Sequence, residues 1–285
     1  MAERVTDVRG VVFEPFEPPV RVVSLVPSIT ELLFDLGLEP GEEIVGRTRF
    51  CVRPPGRVEQ VPAVGGTKTV ETGQVLGLDP DLVVANRDEN PREIVGELER
   101  TPDGPGVFVT DPASFDEAVR MIRELGRLVG RTRQGASMAE QVEVLRSELP
   151  DRDRGTALYL IWTEPYMSVS PETFVHDMLR LAGYENVIGP SFLHVHDYRA
   201  PGAARYPEVT VKEIMALRPD HILLASEPFP FEEKHAQRLR LRLAEQDPDY
   251  AEEVEVRLVD GECYSWYGSR LLEALRTFRR ELKSV

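Results

Sequence analysis

A chain of 285 residues, 41% hydrophobic and 29% charged, has the composition of a soluble globular protein. At roughly 150 residues per domain it holds about two. Its 34 basic residues stand against 49 acidic ones, a formal net charge of −15, which excludes nucleic acid as a partner because phosphate binding needs a clustered basic surface. No run approaches the ~18 apolar residues of a membrane span. The opening Met-Ala-Glu-Arg-Val-Thr-Asp-Val-Arg-Gly lacks the roughly 7–15 apolar residues of an export signal. The expected location is therefore the cytoplasm, with a periplasmic or cell-surface one only if the natural start was trimmed.

In chain order, Arg21-Val22-Val23-Ser24-Leu25-Val26-Pro27 reads as a strand. Ser28-Ile29-Thr30-Glu31 has capping-box spacing for a helix that ends near Gly37. Leu76 to Asp79 ends a helix, Pro80 stops it, and Leu82-Val83-Val84-Ala85 is a buried strand. Another strand, residues 106–111, precedes a helical stretch over 115–149, in which Gly126, Gly130 and Gly135 are weak points. A surface turn at 150–155 opens the second half, with a strand at 156–162 and a helix from about Thr173 to Gly183. There follow Pro219-Asp220 with the strand His221 to Ala225, a strand at 256–260, and a helix from about Arg270 to Leu282.

The two halves resemble each other. Pro80-Asp81 and Pro219-Asp220 each follow a helix end and lead into a short apolar run closing on alanine. Strand and helix alternate in both, the pattern of a parallel sheet with covering helices. The expected fold is α/β: two Rossmann-like lobes, residues 1–114 and 151–285, joined by a long connecting helix over 115–150.

Segments from Val22 to about Leu282 resemble the helical-backbone (class III) substrate-binding proteins, the receptors that serve vitamin B12 and iron-siderophore ABC importers. The resemblance rests on residues 21–31, on Val64-Gly65-Gly66-Thr67 leading to the Pro80-Asp81 strand, on Gly183-Tyr184-Glu185-Asn186, and on the Pro219-Asp220 strand. It implies a bilobed receptor with a helical bridge and modest hinge motion, and no chemistry on the ligand. Exported members dock on a permease through one acidic residue per lobe. Here Gly73 occupies the first position, and Trp266-Tyr267 runs directly into Gly268-Ser269-Arg270 at the second, so transporter docking is not expected.

Ligands of parallel α/β sheets gather beyond the carboxyl ends of strands. Independently of the resemblance, those positions offer Arg47, Phe50, Cys51, Asn86, Glu89 and Asn90 in the first lobe. In the second they offer Trp162, Tyr166, Glu227, Phe229, Trp266 and Tyr267. Flat aromatic faces suit a corrin or haem ring, and the polar groups suit its amide or carboxylate rim. The expected ligand is a metal-bearing cofactor, a corrinoid (cobalamin) first and a ferric siderophore or haem second.

Other motifs carry less. Gly65-Gly66-Thr67-Lys68 lacks the phosphate-loop spacing, and no Gly-x-Gly-x-x-Gly follows a strand. His194-Val195-His196 with Asp197 reads as a solvated loop within a lid over residues 189–206, and an axial bond from Cys51, His194 or His196 is the one metal role open to it. Two alternatives stand beside the receptor. One is an enzyme reusing the scaffold, drawing on Glu89, Glu164, Glu227, Asp111 and Cys51. The other is an acidic protein-binding module with its aromatics packed inward.

Overall fold

The computed structural model describes residues 3–195 and 205–284. Its first elements are a hairpin, β1 (Val5–Thr6) and β2 (Val12–Phe13), then β3 (Val22–Ser24), α1 (Pro27–Asp35), β4 (Ile44–Arg47), α2 (Thr72–Gly77), β5 (Leu82–Asn86), α3 (Arg92–Glu99) and β6 (Gly106–Thr110). Helices α4 (Phe115–Leu128) and α5 (Thr132–Ser147) follow. Then come β7 (Thr156–Leu160), α6 (Phe174–Leu181), β8 (Glu185–Asn186), α7 (Pro190–Val195), α8 (Val211–Leu217), β9 (His221–Ala225), α9 (Glu233–Ala244), α10 (Pro248–Glu253), β10 (Glu255–Val259), α11 (Glu262–Ser265) and α12 (Leu271–Ser284).

The chain forms two compact units. One comprises Met1–Pro112, Asp116–Val144 and Trp266–Leu272; the other comprises Ala113–Phe115, Leu145–Ser265 and Glu273–Val285. Each has a four-stranded, wholly parallel sheet, ordered β4-β3-β5-β6 in the first and β8-β7-β9-β10 in the second. Taken in chain order both read second-first-third-fourth. The internal repeat is thus a repeat of topology. β5 is buried along its whole length, and β9 is buried from Ile222 to Ala225, which is why both read as unbroken apolar runs rather than alternating ones.

The repeat extends to atoms. Asp81 Oδ2 accepts the backbone N–H of Arg21 at 2.8 Å, and Asp220 Oδ2 accepts that of Thr156 at 2.7 Å. Asp79 and Arg218, each just before the proline, both adopt left-handed backbone, with φ of 47° and 44°. The left-handed residue ends the helix and turns the chain into the strand.

Three local expectations change. The stretch read as one connecting helix is two, broken at residues 129–131; α4 and α5 pack so closely that a Cβ on Gly126 would lie 2.9 Å from the Gly135 Cα. Two glycines therefore act as a contact face between helices. The capping box at Ser28 does not form: the N-cap is Val26, Pro27 takes the first turn, and the Thr30 hydroxyl turns back to the Val26 carbonyl at 3.0 Å. Glu31 is drawn instead to Arg270. Finally, Trp266 and Tyr267, read as a loop of the second lobe, cluster with the first unit.

Candidate functional site

In sheets of this order the connection reverses between the first and third strands, and ligands gather at their carboxyl ends. In the first unit those ends carry residues 25–28, 48–51 and 87–90; in the second, residues 161–162 and 226–229.

In the first unit, the segment after β4 is a tight turn. The Cys51 N–H donates to the Thr48 carbonyl at 3.1 Å, with Arg49 and Phe50 at its two central positions. Thr48 and Cys51 are buried, and the Cys51 Sγ lies 3.1 Å from the Thr30 hydroxyl and 3.2 Å from that of Thr48. With its feet buried, the turn holds its two central side chains outward. Phe50 is 50% exposed, and the Arg49 guanidinium lies 5.0 Å above its ring. Burial pushes the Cys51 thiol above its ordinary range, against the hydroxyl hydrogen bonds that pull it down. Cys51 is accordingly an anchor, which overturns its reading as an axial ligand or nucleophile.

The other polar candidates of this unit hold the backbone. Arg47 Nε donates to the carbonyls of Val58 and Val61, at 2.8 and 3.1 Å. Buried Asn86 accepts from the N–H groups of Asp88 and Glu89 and donates to Thr110; buried Asn90 accepts from the Asn86 N–H and donates to the carbonyls of Leu25 and Thr67. Together they tie the exits of β3 and β5 to the residue 65–67 turn. Glu89 is half-buried, 3.4 Å from the Tyr267 hydroxyl that donates to it. Tyr267 and Trp266 are both buried. The Arg270 guanidinium covers the Trp266 ring at 5.6 Å while its Nε donates to Glu31 at 3.0 Å, and this pairing carries the aromatic segment inward.

In the second unit Trp162, just past β7, is 41% exposed and meets the half-buried Phe229 edge to face at 5.5 Å. Phe229 in turn packs on Phe231 and His235 at 4.9 and 5.0 Å. Edge-to-face packing fixes each ring at a set tilt. Glu227 accepts the Ser265 hydroxyl at 2.5 Å, above Gly261, where a Cβ would fall 2.6 Å from the Glu227 Cγ. Tyr166 does not face solvent; it is part of the core with Leu158, Leu160 and Ile188, and its carbonyl accepts the Val209 N–H at 2.9 Å.

Among the described residues no three of His, Cys, Asp and Glu converge as a metal site, and no helix is long and apolar enough to cross a membrane. His194 is exposed on α7, whereas His196, Asp197 and half of the expected lid, residues 196–204, lie outside the described residues. Of the proposed acid–base groups, Glu164 sits 3.4 Å from Arg238, Asp111 sits 3.4 Å from Arg87, and Cys51 meets hydroxyls rather than a base. Arg49 falls in the strand-exit segment from Arg47 to Cys51 that the sequence marks, but Arg47, Phe50 and Cys51 are singled out from it and Arg49 is not. Sequence reasoning also missed the Glu31–Arg270 pair, which joins residues far apart in the chain and leaves no local pattern.

With two parallel α/β units of one topology and aromatic rings presented past their strands, the class is that of a two-unit solute receptor. The chain belongs to the periplasmic binding protein family, which matches residues 22–201, more than half its length; members of this family are substrate-binding proteins and not enzymes. It is 26% identical over 215 residues to the vitamin B12-binding protein of Yersinia pestis (strain Pestoides F), covering 74% of this chain and 71% of that one. Its fold is shared by the periplasmic vitamin B12 binding protein BtuF of Vibrio cholerae (TM-score 0.70, 20% identity, 93% of this chain and 96% of that one). It is likewise shared by the periplasmic heme-binding protein RhuT from Roseiflexus sp. RS-1 in apo form (TM-score 0.72, 22% identity, 93% and 98%).

Proposed function

We propose that this receptor binds a corrinoid of the cobalamin class. The observation that carries the reading is that Phe50 and Trp162 are the two exposed Phe or Trp rings among the described residues, Phe50 just past the carboxyl end of the edge strand β4 and Trp162 just past that of the inner strand β7. Each ring, exposed by a rigid turn or by an edge-to-face neighbour, is ready to lie against a flat ligand with little ordering cost. Similarity to vitamin B12-binding proteins supports the corrin over other flat ligands. Glu89, past β5, and Glu227, past β9, are half-buried acceptors of hydrogen bonds and suit the amide N–H groups of a corrin rim. The reading includes no permease, since the positions where docking carboxylates are expected carry Gly73 and Gly268.

Titration calorimetry and visible absorption with cyanocobalamin, haem and a ferric siderophore test it. A one-to-one complex with the corrinoid, weakened about tenfold or more by Trp162→Ala or Phe50→Ala, is the expected result. Preference for haem or the siderophore, or indifference to both substitutions, would overturn it.

A further inference from the structure

The Arg49–Phe50 pair is built more firmly than an exposed loop requires. Its turn is anchored from below by Thr48 and Cys51 and tied sideways by the Arg49 N–H, which donates to the Gly65 carbonyl at 2.8 Å. Under the two side chains lies Gly66, where a Cβ would stand 3.1 Å from the Phe50 ring and 3.3 Å from Arg49 Nη2. Gly65 has φ of 108°, and a Cβ there would fall 2.3 Å from the Thr69 carbonyl oxygen, so the floor is conformationally fixed too. The Gly65-Gly66 pair, which makes no phosphate loop, is the seat on which guanidinium and ring rest.

A guanidinium held over a ring, as Arg49 is over Phe50, keeps N–H donors for a further partner. Arg49 makes no ion pair among the described residues, in a chain with 15 more acidic than basic groups. A planar cation at a strand end, without an ion pair among the described residues, matches an oxyanion bound beside the aromatic ring. We propose that Arg49 is a specificity-determining residue that binds an anionic oxygen group, phosphodiester or carboxylate, on the rim of the ligand whose ring Phe50 covers. This rests on the receptor reading above and adds the charge of the ligand to it.

Binding of four ligands to the full-length protein and its variants tests it: cyanocobalamin, with its phosphodiester; cobinamide, which lacks it; haem, with two carboxylates; and haem dimethyl ester, which lacks both charges. Arg49→Gln should weaken the acid-bearing member of whichever pair binds by about tenfold, the value of one charge-assisted contact, and leave the member without the acid group within about twofold. Arg49→Lys should recover part of the loss, because an ammonium keeps the charge without the planar fork. Phe50→Ala should weaken both members of the pair alike. The affected pair tells phosphodiester from carboxylate. Equal weakening of both members by Arg49→Gln, or weakening of neither, would overturn the proposal while leaving the receptor reading intact. Failure of the native protein to bind any of the four would remove both.

Discussion

Asp220 holds Thr156 as Asp81 holds Arg21: in each unit the carboxylate after the helix-stopping proline accepts the backbone N–H at the start of the sheet's first strand. Asp220 also accepts the Thr156 hydroxyl at 2.7 Å. Hydrogen bonds from the Thr156 side chain, then its backbone, hold this carboxyl below the ordinary range. A lowered value in the folded state means stability that is present at neutral pH and is lost as pH falls below about 4. Asp220→Ala should destabilise the protein by about 1 kcal/mol at pH 7. In denaturant titrations the gap to native should close as the pH is taken below the carboxylate range; a gap independent of pH would show that the ionised carboxylate is not responsible.

Glu31 and Arg270 form a pair with 13% and 7% of their side chains exposed. Removing one partner takes away a direct countercharge from a nearly buried group, so Arg270→Ala should destabilise, by up to roughly 3–5 kcal/mol. Replacing both, as Glu31→Leu with Arg270→Met, should restore most of it. A double variant as weak as the single one would show that packing over Trp266, rather than charge, is what Arg270 supplies.

The two tryptophans report separately. Trp266→Phe leaves exposed Trp162 as the sole emitter, and its fluorescence should lie at longer wavelength than that of Trp162→Phe, which leaves the buried ring. A bound corrinoid should quench Trp162 more strongly. The reverse order of wavelengths would contradict the placement of both rings.

Gly65→Ala introduces a Cβ into a left-handed position against the Thr69 carbonyl. It should destabilise by about 1–3 kcal/mol and weaken ligand binding along with Phe50→Ala. Gly73→Ala, where a Cβ meets nothing within 4 Å, is the matched control and should leave binding unchanged.

Cys51 should resist a thiol reagent at pH 8 in the native protein and react at once in denaturant, since its thiol is buried and shifted upward. Rapid labelling of native protein at this position would mean that the Thr48–Cys51 turn opens readily.

What could be read from the sequence was whatever is local and periodic. Pro80-Asp81 and Pro219-Asp220 announced the two equivalent strands, because a helix stop followed by a run buried on both faces has few other solutions. The strand exits could be placed for the same reason, and with them Phe50 and Trp162. Direction was harder. Asn86, Asn90 and Arg47 sit at strand exits but turn toward backbone groups that the chain brings in from 11 to 65 positions away. Tyr166 and Trp266 show the same limit: both are buried, beside partners, Val209 and Arg270, that no spacing reveals.

Because Trp266–Leu272 clusters with the amino-terminal unit, dissecting this protein by truncation is not a matter of cutting once near residue 150. A fragment ending there would keep Glu31 and lose Arg270, and would expose the apolar side of α1 that Gly268 approaches, 3.3 Å from the Leu32 Cβ were it to carry a Cβ of its own. A workable amino-terminal fragment needs the 266–272 segment spliced back or supplied as a peptide. Complementation by that peptide would turn the chain's return to its first unit into a split reporter for assembly.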